Sequence, residues 1–440
     1  MGLSESIDTL IVGAGLSGLS TAYYFDGSSI IVEANDCVGG KARSETYNGY
    51  TFDLTGHWLH LTNIDIRDMV YDLIGKEQFM TVQRRSRIWS HGVYVNYPFQ
   101  ANLHGLPPPI VKECLLGAVN AAIHRLSGKE QNDEPENFVE WIRYYFGEGI
   151  ARHFMIPFNE KLWDISTSEL TSRWCQRFVP KPNLEEIIAG AVGCGKDSIG
   201  YNVNFLYPRS GGIQTLANGL ADAVGVEKIF LQKQVTGVDY QNRIVHFKDG
   251  QKIRYKRLVS TLPLPLLIDM LHPVPDTVIS ARKKLRARKV IYLNIGINGD
   301  LGRSDHWIYV PEKEWPMYRV GSYSNVNPVM APDGCSSLYI ELSDRSTPLD
   351  IILPQIEKGL ISMGIIDSEK QIEFVQRRSI PGGYVIYDFN YHESRATIHD
   401  WLSSIGVYSI GRYGDWNYSS MEDALLDGLM TAESLAGEAP

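Results

Sequence analysis

The stretch that decides the fold is residues 7–33, IDTLIVGAGLSGLSTAYYFDGSSIIVE. It opens with a β-rich apolar run, residues 7–12, which leads into the glycine turn GAGLSG at residues 13–18. A helical segment, Leu19 to Phe25, and a second apolar run, Ser28 to Val32, follow. A strand, a glycine turn, a helix and a strand in this order predict a βαβ unit of the Rossmann type.

Each glycine of the turn has a physical reason to be there. Gly13 permits the tight turn, Gly15 lets a pyrophosphate approach the backbone, and Gly18 lets the helix pack on the strand. Leu16 and Ser17 of the turn are predicted to bind the cofactor as well, since the phosphates are expected to meet the N-terminus of the helix that follows. Glu33 ends the second strand, where a carboxylate can accept hydrogen bonds from an adenosine ribose. An unliganded glycine turn is the alternative, but the combination favours a dinucleotide.

NAD and FAD both fit this unit, and the continuation separates them. A second glycine turn, Gly39-Gly40, is followed by the cations Lys41 and Arg43. Such a turn with a nearby cation can extend a pyrophosphate site toward a flavin. FAD is therefore the predicted cofactor, with Gly39, Gly40 and Arg43 among its binding residues.

The composition places the 440 residues among folded globular proteins of two or three domains. Hydrophobic residues make up 44% and charged residues 21%, which excludes collagen-like, coiled-coil and disordered chains. The formal charge is −9 and the sequence has no long basic run, so nucleic acid is not expected as a partner.

Cysteine usage and hydropathy bear on the compartment. The five cysteines are scattered and include no Cys-x-x-Cys pair, which argues against a disulfide framework and against a zinc site. We therefore expect no metal and a reducing, cytoplasmic location. No run approaches the roughly 18 to 20 apolar residues of a membrane span, so none is expected.

The rest of the chain predicts an α/β fold with two further units. Residues 106–200 read mainly as helix and predict an inserted helical substrate domain. Residues 266–399 are rich in strand patterns and predict an antiparallel β-sheet substrate domain. The FAD-binding domain is then discontinuous, formed by residues 1–105, 201–265 and 400–440.

The two glycine turns resemble those of the superfamily of flavin amine oxidases, protoporphyrinogen oxidases and UDP-galactopyranose mutases. Segments in the middle of the chain are similar to the mutases, especially to their eukaryotic branch. The matching positions are Gly56-His57, the segment Tyr97-Pro98-Phe99-Gln100, Asn159 with Trp163, Arg177, Asn202, Trp307 to Glu312, Tyr318-Arg319, and Gly411 to Tyr418.

This resemblance implies roles for individual residues. It adds His57, Val235, Gly411, Arg412 and Met421 to the FAD-binding set. It places substrate at Tyr97, Gln100, Asn159, Trp163, Arg177, Asn202, Tyr309, Arg319, Tyr384 and Tyr418, and it makes His57, Arg177 and Arg319 the catalytic residues. Two arginines with several phenol hydroxyls suit a diphosphate.

The activity implied by the resemblance is the interconversion of pyranose and furanose forms of a UDP-sugar, by default UDP-galactose. In that mechanism N5 of the reduced flavin attacks the anomeric carbon, and NADPH or NADH is the external reductant. The implied setting is cell-surface polysaccharide biosynthesis, with a homo-oligomer possible. Two alternatives stay open: an FAD-dependent oxidoreductase of the amine oxidase or protoporphyrinogen oxidase type, and a relative that binds nucleotide sugar without turnover.

Overall fold

The computed structural model of the chain describes residues 6–127, 134–195, 203–343 and 346–437, without the side chains of Gln176 and Arg177. The strands, numbered along the chain, are β1 Ser6–Val12, β2 Ser29–Val32, β3 Ser44–Tyr47, β4 Tyr50–Asp53, β5 Phe79–Gln83, β6 Ser86–Ser90, β7 Val93–Asn96, β8 Asn204–Pro208, β9 Ile229–Phe230, β10 Val235–Asp239, β11 Ile244–Phe247, β12 Lys252–Ser260, β13 Leu271–His272, β14 Ala287–Asn298, β15 Trp307–Tyr309, β16 Met317–Ser322, β17 Cys335–Leu342, β18 Ile372–Val385 and β19 Val407–Ser409. The α-helices are α1 Leu16–Tyr24, α2 Ile64–Ile74, α3 Pro108–Leu126, α4 Phe138–Ile150, α5 Ile156–Trp163, α6 Cys175–Phe178, α7 Leu184–Ala191, α8 Gln214–Val224, α9 Leu264–Met270, α10 Asp276–Lys284, α11 Leu349–Ser362, α12 Tyr391–Ser404 and α13 Met421–Gly437.

The first sheet has the order β13-β10-β11-β12-β1-β2-β9, with β19 paired to β12. Strand β1 lies between β2 and β12 and pairs with both in parallel. Because neighbours flank it and helices cover it, its apolar residues are buried, and Leu10 and Ile11 have no exposed surface. The predicted α/β class with a Rossmann-like unit is confirmed.

Helix α1 begins at Leu16, three residues before the predicted start. The amide of Leu19 already donates to the carbonyl of Gly15 at 2.9 Å, so the second half of the glycine turn is helical. Helix α13 then packs on α1 so closely that a Cβ on Gly428 would lie 2.5 Å from the Cβ of Ser20. Helix α13 is thereby held beside the helix that follows the glycine turn.

The second sheet has the order β18-β14-β17-β16-β15-β6-β7. It is antiparallel except where β15 pairs in parallel with β6, with Trp307 opposite Ser86. We predicted residues 86–96 as part of the FAD-binding domain, and this was wrong, since β6 and β7 complete the edge of the second sheet. Strand propensity shows that a segment is extended but does not show which distant strand it joins.

Two other predicted boundaries also differ from the structure. Strand β13 pairs with β10 and so extends the first sheet past residue 265. Helix α12 crosses the boundary predicted between residues 399 and 400. The helical region, α3 to α7, has an aromatic core, with Trp141, Phe146 and Trp163 among its buried residues, and its helix α5 contacts β16 of the second sheet.

Within the described ranges, no helix is both long enough and apolar enough to cross a membrane.

Candidate active site

A cavity of about 640 Å³ runs from the glycine turn of the first sheet to the inner face of the second sheet. Its near end is lined by Gly13, Gly15 and Glu33, and its far end by Tyr309 and Arg319. The two ends of the cavity therefore have different chemistry.

The near end has the backbone geometry of a phosphate cradle. Gly13 has a φ of +104°, and a Cβ there would lie 2.1 Å from Oγ1 of Thr261. A Cβ on Gly18 would lie 2.1 Å from the carbonyl oxygen of Gly13, so neither position accepts a side chain. A Cβ on Gly15, by contrast, would have no neighbour closer than 3.9 Å, and Gly15, the N-cap residue of α1, makes no side-chain capping bond. The first amides of α1 are thus left for an anion.

The second glycine turn closes over the first. The amide of Gly39 donates to the carbonyl of Ala14 at 2.8 Å, and Gly40 approaches Gly15 through their Cα atoms. Lys41 extends from this turn into the cavity lining. Burial, reinforced by the charge of Arg43, lowers the pKa of Lys41, as expected for a cation that awaits an anionic partner.

Glu33 is buried at the predicted ribose position. Its two carboxylate oxygens each accept a backbone amide at 2.9 Å, one from Ala14 and one from Asn35. A carboxylate has about four lone-pair sites, so capacity remains for ribose hydroxyls. These bonds also fix the direction in which the carboxylate faces.

The segment after β19 completes this side of the cavity. Gly411 has a φ of +77°, and a Cβ there would meet the hydroxyl of Ser17 at 2.4 Å. Arg412 donates to the carbonyls of Ser419 at 2.6 Å and Gly383 at 3.3 Å, and it lines the cavity with Met421. The near end thus fits a dinucleotide held by backbone amides, a ribose-facing carboxylate and nearby cations.

The loop that carries His57 is anchored on both sides. Before it, the carboxylate of Asp53 accepts bonds from Ser44, Tyr207 and the amide of Ile213. After it, Glu422 accepts the amide of Asn63 at 2.6 Å and the hydroxyl of Thr62 at 2.8 Å.

His57 itself is electrically neutral in this setting. Its Nδ1 lies 3.3 Å from the carbonyl of Thr55, and the ring lines the cavity. Burial, followed by the nearby charge of Arg412, lowers the pKa of His57 to about 4. At neutral pH the ring therefore carries no net charge, and it can donate a hydrogen bond from one nitrogen and accept one at the other.

Burial also lowers the pKa of His60 and of His306 to about 4. An unfolded histidine titrates near ~6.5, so below that pH the unfolded chain binds protons that the folded chain does not. The stability contributed by these neutral rings is complete above ~6.5 and is lost as the pH falls toward 4.

His306→Asn tests this titration away from the cavity lining. Nδ1 of His306 accepts the amide of Arg85 at 3.2 Å, an acceptor that an Asn side chain can replace. At about 1.4 kcal/mol per pKa unit, the variant should lose about 2 kcal/mol less stability than the parent between pH 7 and pH 5. Urea unfolding at both pH values measures the difference. Burial raises the pKa of Asp53 to about 6, so protonation of this carboxyl stabilises the folded chain as the pH falls. This contribution is the same in the parent and in the variant. If the parent and the variant lost the same stability between pH 7 and pH 5, a neutral His306 in the folded chain would be contradicted.

The far end of the cavity combines phenols with guanidinium groups. The rings of Tyr97 and Tyr309 lie 5.2 Å apart, and those of Tyr384 and Tyr418 lie 6.0 Å apart in a stacked arrangement. All four line the cavity, together with Arg319. Five of the ten predicted substrate residues are thus brought together on one wall.

Arg319 has a buried partner and a buried unused donor. Its Nη1 donates to Glu341 at 2.9 Å, and its guanidinium lies 5.4 Å from the ring centre of Tyr309. Its Nε is buried and finds no acceptor among the described residues, and the same holds for the hydroxyl of Tyr318 as a donor. An unused donor on a buried guanidinium points to a ligand that carries acceptor oxygens.

Other predicted substrate residues are not part of the cavity wall. Gln100 donates to the carbonyl of Pro180 at 2.8 Å, and Asn159 accepts Nε1 of Trp163 at 3.2 Å. All three side chains are at least nine-tenths buried behind the lining, where their hydrogen bonds are made within the protein. Asn202 and the side chain of Arg177 lie outside the described residues.

Three of the predicted FAD-binding residues also lie off the lining. Gly18 is covered by the turn, Arg43 donates to Sγ of Cys37 at 3.6 Å, and Val235 is buried at the start of β10. Gly18 supports the cradle from behind, since its missing side chain allows the close approach of Gly13.

Sequence reasoning missed several residues of the cavity wall. Among the most informative are Trp58, Arg84 and Tyr339. The guanidinium of Arg84 lies 4.9 Å from the ring centre of Tyr97, so it is placed beside a predicted residue. The only signal in the sequence was the Arg84-Arg85 pair, which is indistinguishable from an exposed surface pair.

The charge of the described lining is strongly one-sided. The cations Lys41, Arg84, Arg319 and Arg412 face the cavity, whereas Glu33 is the one carboxylate of the described lining. Such a field favours anionic ligands along the cavity and disfavours a cationic one.

Comparison with known proteins places this cavity in context. The family model described as "Flavin containing amine oxidoreductase" matches residues 16–436. A crystal structure of reduced UDP-galactopyranose mutase is similar at 26% identity, with a TM-score of 0.92, over 98% of this chain and 96% of that chain. Cyclohexylamine oxidase from Brevibacterium oxydans IH-35A shares the fold, with a TM-score of 0.69 at 14% identity over 98% of each chain.

A curated relative covers less of the molecule. The "Probable flavin-containing monoamine oxidase A" of Dictyostelium discoideum is 23% identical over 288 residues, 62% of this chain and 61% of that protein. The match therefore spans about three fifths of that relative's length.

Proposed function

Since the chain belongs to the family of flavin containing amine oxidoreductases, we propose that it is an FAD-dependent mutase that interconverts the pyranose and furanose forms of a UDP-sugar, with UDP-galactose as the default. The observation that carries the proposal is the far end of the cavity. There Arg319 and Arg84 stand among phenols without a carboxylate in the described lining. A nucleoside diphosphate satisfies this set, whereas a protonated amine would be repelled.

The residues of the near end suit FAD. The backbone at Gly13, Gly15 and the start of α1 would hold the pyrophosphate, Glu33 the adenosine ribose, and Lys41 would offset phosphate charge. His57 and Arg412 would lie at the flavin end. When bound and reduced, the flavin supplies the nucleophilic nitrogen for attack on the anomeric carbon.

The residues of the far end then act on the substrate. Arg319 donates to diphosphate oxygens through the side of the guanidinium that Glu341 leaves unused. The hydroxyls of Tyr309, Tyr384 and Tyr418 add donors, and the stacked rings exclude water from the anomeric centre. His57, neutral at physiological pH, orients the flavin edge or a nearby carbonyl and is not a nucleophile. Arg177 remains a predicted second diphosphate ligand.

A substrate panel tests the proposal. The flavin is reduced under anaerobic conditions with NADPH, NADH or dithionite, and UDP-, GDP- and dTDP-sugars are offered in turn. We expect a ring isomer of one UDP-sugar, with no isomer formed by the oxidised protein. Absence of any isomer across the panel, with FAD bound and reduced, would contradict the proposal.

The second candidate function is that of an FAD-dependent amine oxidase. The matching family is described as flavin containing amine oxidoreductases, and cyclohexylamine oxidase shares the fold. This second function predicts consumption of oxygen and of an amine by the oxidised protein. The cationic lining speaks against it, and an oxygen electrode with a panel of amines decides between the two.

We also expect the FAD to be bound without a covalent link. Cys37 contacts Arg43, but neither it nor any other cysteine belongs to the described lining. Acid precipitation of purified yellow protein should release all of the flavin as FAD. Flavin that stays on the denatured chain, or recovery of FMN or NAD instead, would contradict this expectation.

If the chain is such a mutase, we expect it to act in the cytoplasm and to serve the synthesis of cell-surface polysaccharide. All five cysteines are free, which suits a reducing compartment.

A further inference from the structure

A lysine outside the cavity holds the hairpin that carries two of its key residues. Lys161 lies on α5 in the helical region and is 7% exposed. Its Nζ donates to the backbone carbonyls of Val310 at 2.8 Å, Glu312 at 2.8 Å and Met317 at 2.6 Å. An ammonium group has three donors, one for each of these carbonyls.

The three carbonyls belong to the two arms and the loop of the hairpin formed by β15 and β16. Val310 follows Tyr309 directly, and Met317 lies two residues before Arg319. The arms are also tied to each other, since the amide of Val310 donates to the carbonyl of Tyr318 at 3.0 Å. Lys161 thus binds both ends of the loop, next to the residues that carry the cavity-facing side chains, Tyr309 and Arg319.

The same residue is held from a second direction. The backbone carbonyl of Lys161 accepts Nη1 of Arg288 at 2.7 Å, and the Arg288 guanidinium lies 5.4 Å from the ring centre of Tyr318. Helix α5, β14 and the hairpin therefore share one buried polar junction. An exposed pair, Lys313 with Glu160 at 3.1 Å, joins the same loop to the same helix at the surface.

We propose that Lys161 is a positioning residue, which fixes Tyr309 and Arg319 on the cavity wall from the helical region without touching the ligand. Its side chain is absent from the described lining, and its three bonds all end on the hairpin backbone. Placement of anion-binding groups within fractions of an ångström governs how well they act, so a buried tie of this kind affects ligand affinity. The identity of the ligand, UDP, rests on the proposed function.

Lys161→Met is the variant that tests the assignment, because methionine keeps much of the shape but donates no hydrogen bond. Lys313→Met is the matched control, since it removes the exposed tie between the same two elements. We expect Lys161→Met to raise the UDP dissociation constant about tenfold while flavin content stays unchanged, and Lys313→Met to bind UDP as the parent does.

Arg319→Lys separates positioning from a general loss of stability. If Lys161 acts through Arg319, Lys161→Met should weaken UDP binding much less in the Arg319→Lys background than in the parent. An equal effect in both backgrounds would overturn the assignment.

Hydrogen exchange of the segment from residue 307 to residue 322 gives a readout that needs no ligand. We expect faster exchange there in Lys161→Met, but not in Lys313→Met, with the exchange of β1 unchanged in both. If the parent does not bind UDP, the proposed function fails, and the exchange result still decides whether Lys161 holds the hairpin. Unaltered exchange of this segment in Lys161→Met would refute the proposal.

Discussion

Replacement of Gly15 by Ala is expected to leave the protein folded but to weaken FAD binding by about ten- to a hundredfold. Gly15 has φ −77° and ψ 177°, angles that alanine adopts without strain, and its nearest neighbour would lie 3.9 Å from the new methyl group. The methyl would project where the pyrophosphate is expected to approach the backbone. Overpacking of this kind costs roughly 1 to 3 kcal/mol, which corresponds to that range of affinity.

Gly237→Ala is the matched control for this change. Its Cβ would also find its nearest neighbour at 3.9 Å, but Gly237 lies on β10 and outside the lining of the main cavity. Titration of the apoproteins with FAD, followed by flavin fluorescence, measures both dissociation constants. Equal affinities for FAD would show that the cradle at Gly15 does not hold the pyrophosphate.

Removal of the Arg319 guanidinium is expected to raise the UDP dissociation constant by about ten- to a hundredfold, with flavin content unchanged. A charge-assisted hydrogen bond in a partly desolvated cleft is worth roughly 1.5 to 3 kcal/mol. Since Arg319→Ala would leave Glu341 buried and unpaired, the double variant Arg319→Ala/Glu341→Gln avoids an uncompensated charge. Arg319→Lys should recover part of the loss, because an ammonium keeps the charge but not the planar fork.

Arg303→Ala is the control for the arginine experiment. Arg303 pairs with Asp305 at 2.6 Å and lies 3.6 Å from the ring centre of Tyr94, so it has the same kinds of partner, but it is not part of the described lining. UDP binding by calorimetry compares the variants. If the Arg303 variant lost affinity and the Arg319 variants did not, the assignment of the diphosphate site to this wall would be wrong.

The first sheet could be predicted because its information is local. The run of residues 7–12, the glycine turn and Glu33 lie within one short βαβ unit, and the structure confirms this unit and the predicted resemblance to the mutases and their superfamily. The edge of the second sheet could not be predicted in this way. Pairing of β6 with β15 joins residues more than 200 positions apart, and no local pattern encodes that choice.

The cavity was predicted in part for a similar reason. Motif positions such as His57, Tyr309 and Arg319 reach the wall. His57 lies in the loop after β4, whereas Tyr309 and Arg319 are paired residues of the neighbouring strands β15 and β16. Trp163 has the residue type of a nucleobase platform, yet its ring packs on Trp174 and Tyr384, 5.1 and 5.7 Å away, and its indole N–H is taken by Asn159. Residue type and spacing do not distinguish a ligand platform from a buried aromatic core.

The role of Lys161 could not be predicted from the sequence either. In the sequence it is one lysine among 42 basic residues, and a lysine is ordinarily exposed. Only the arrangement of three carbonyls around its Nζ reveals what it does in the fold.

The ratio of isomerised sugar to electrons consumed tests the mutase proposal most directly. The protein is reduced once under anaerobic conditions, excess reductant is removed, and UDP-sugar isomer is quantified together with the flavin absorbance. The proposal predicts many isomerised molecules for each reduced flavin, with the absorbance of the reduced form retained throughout. One product per two electrons, with flavin becoming oxidised as product accumulates, would contradict a non-redox mutase and establish an oxidoreductase.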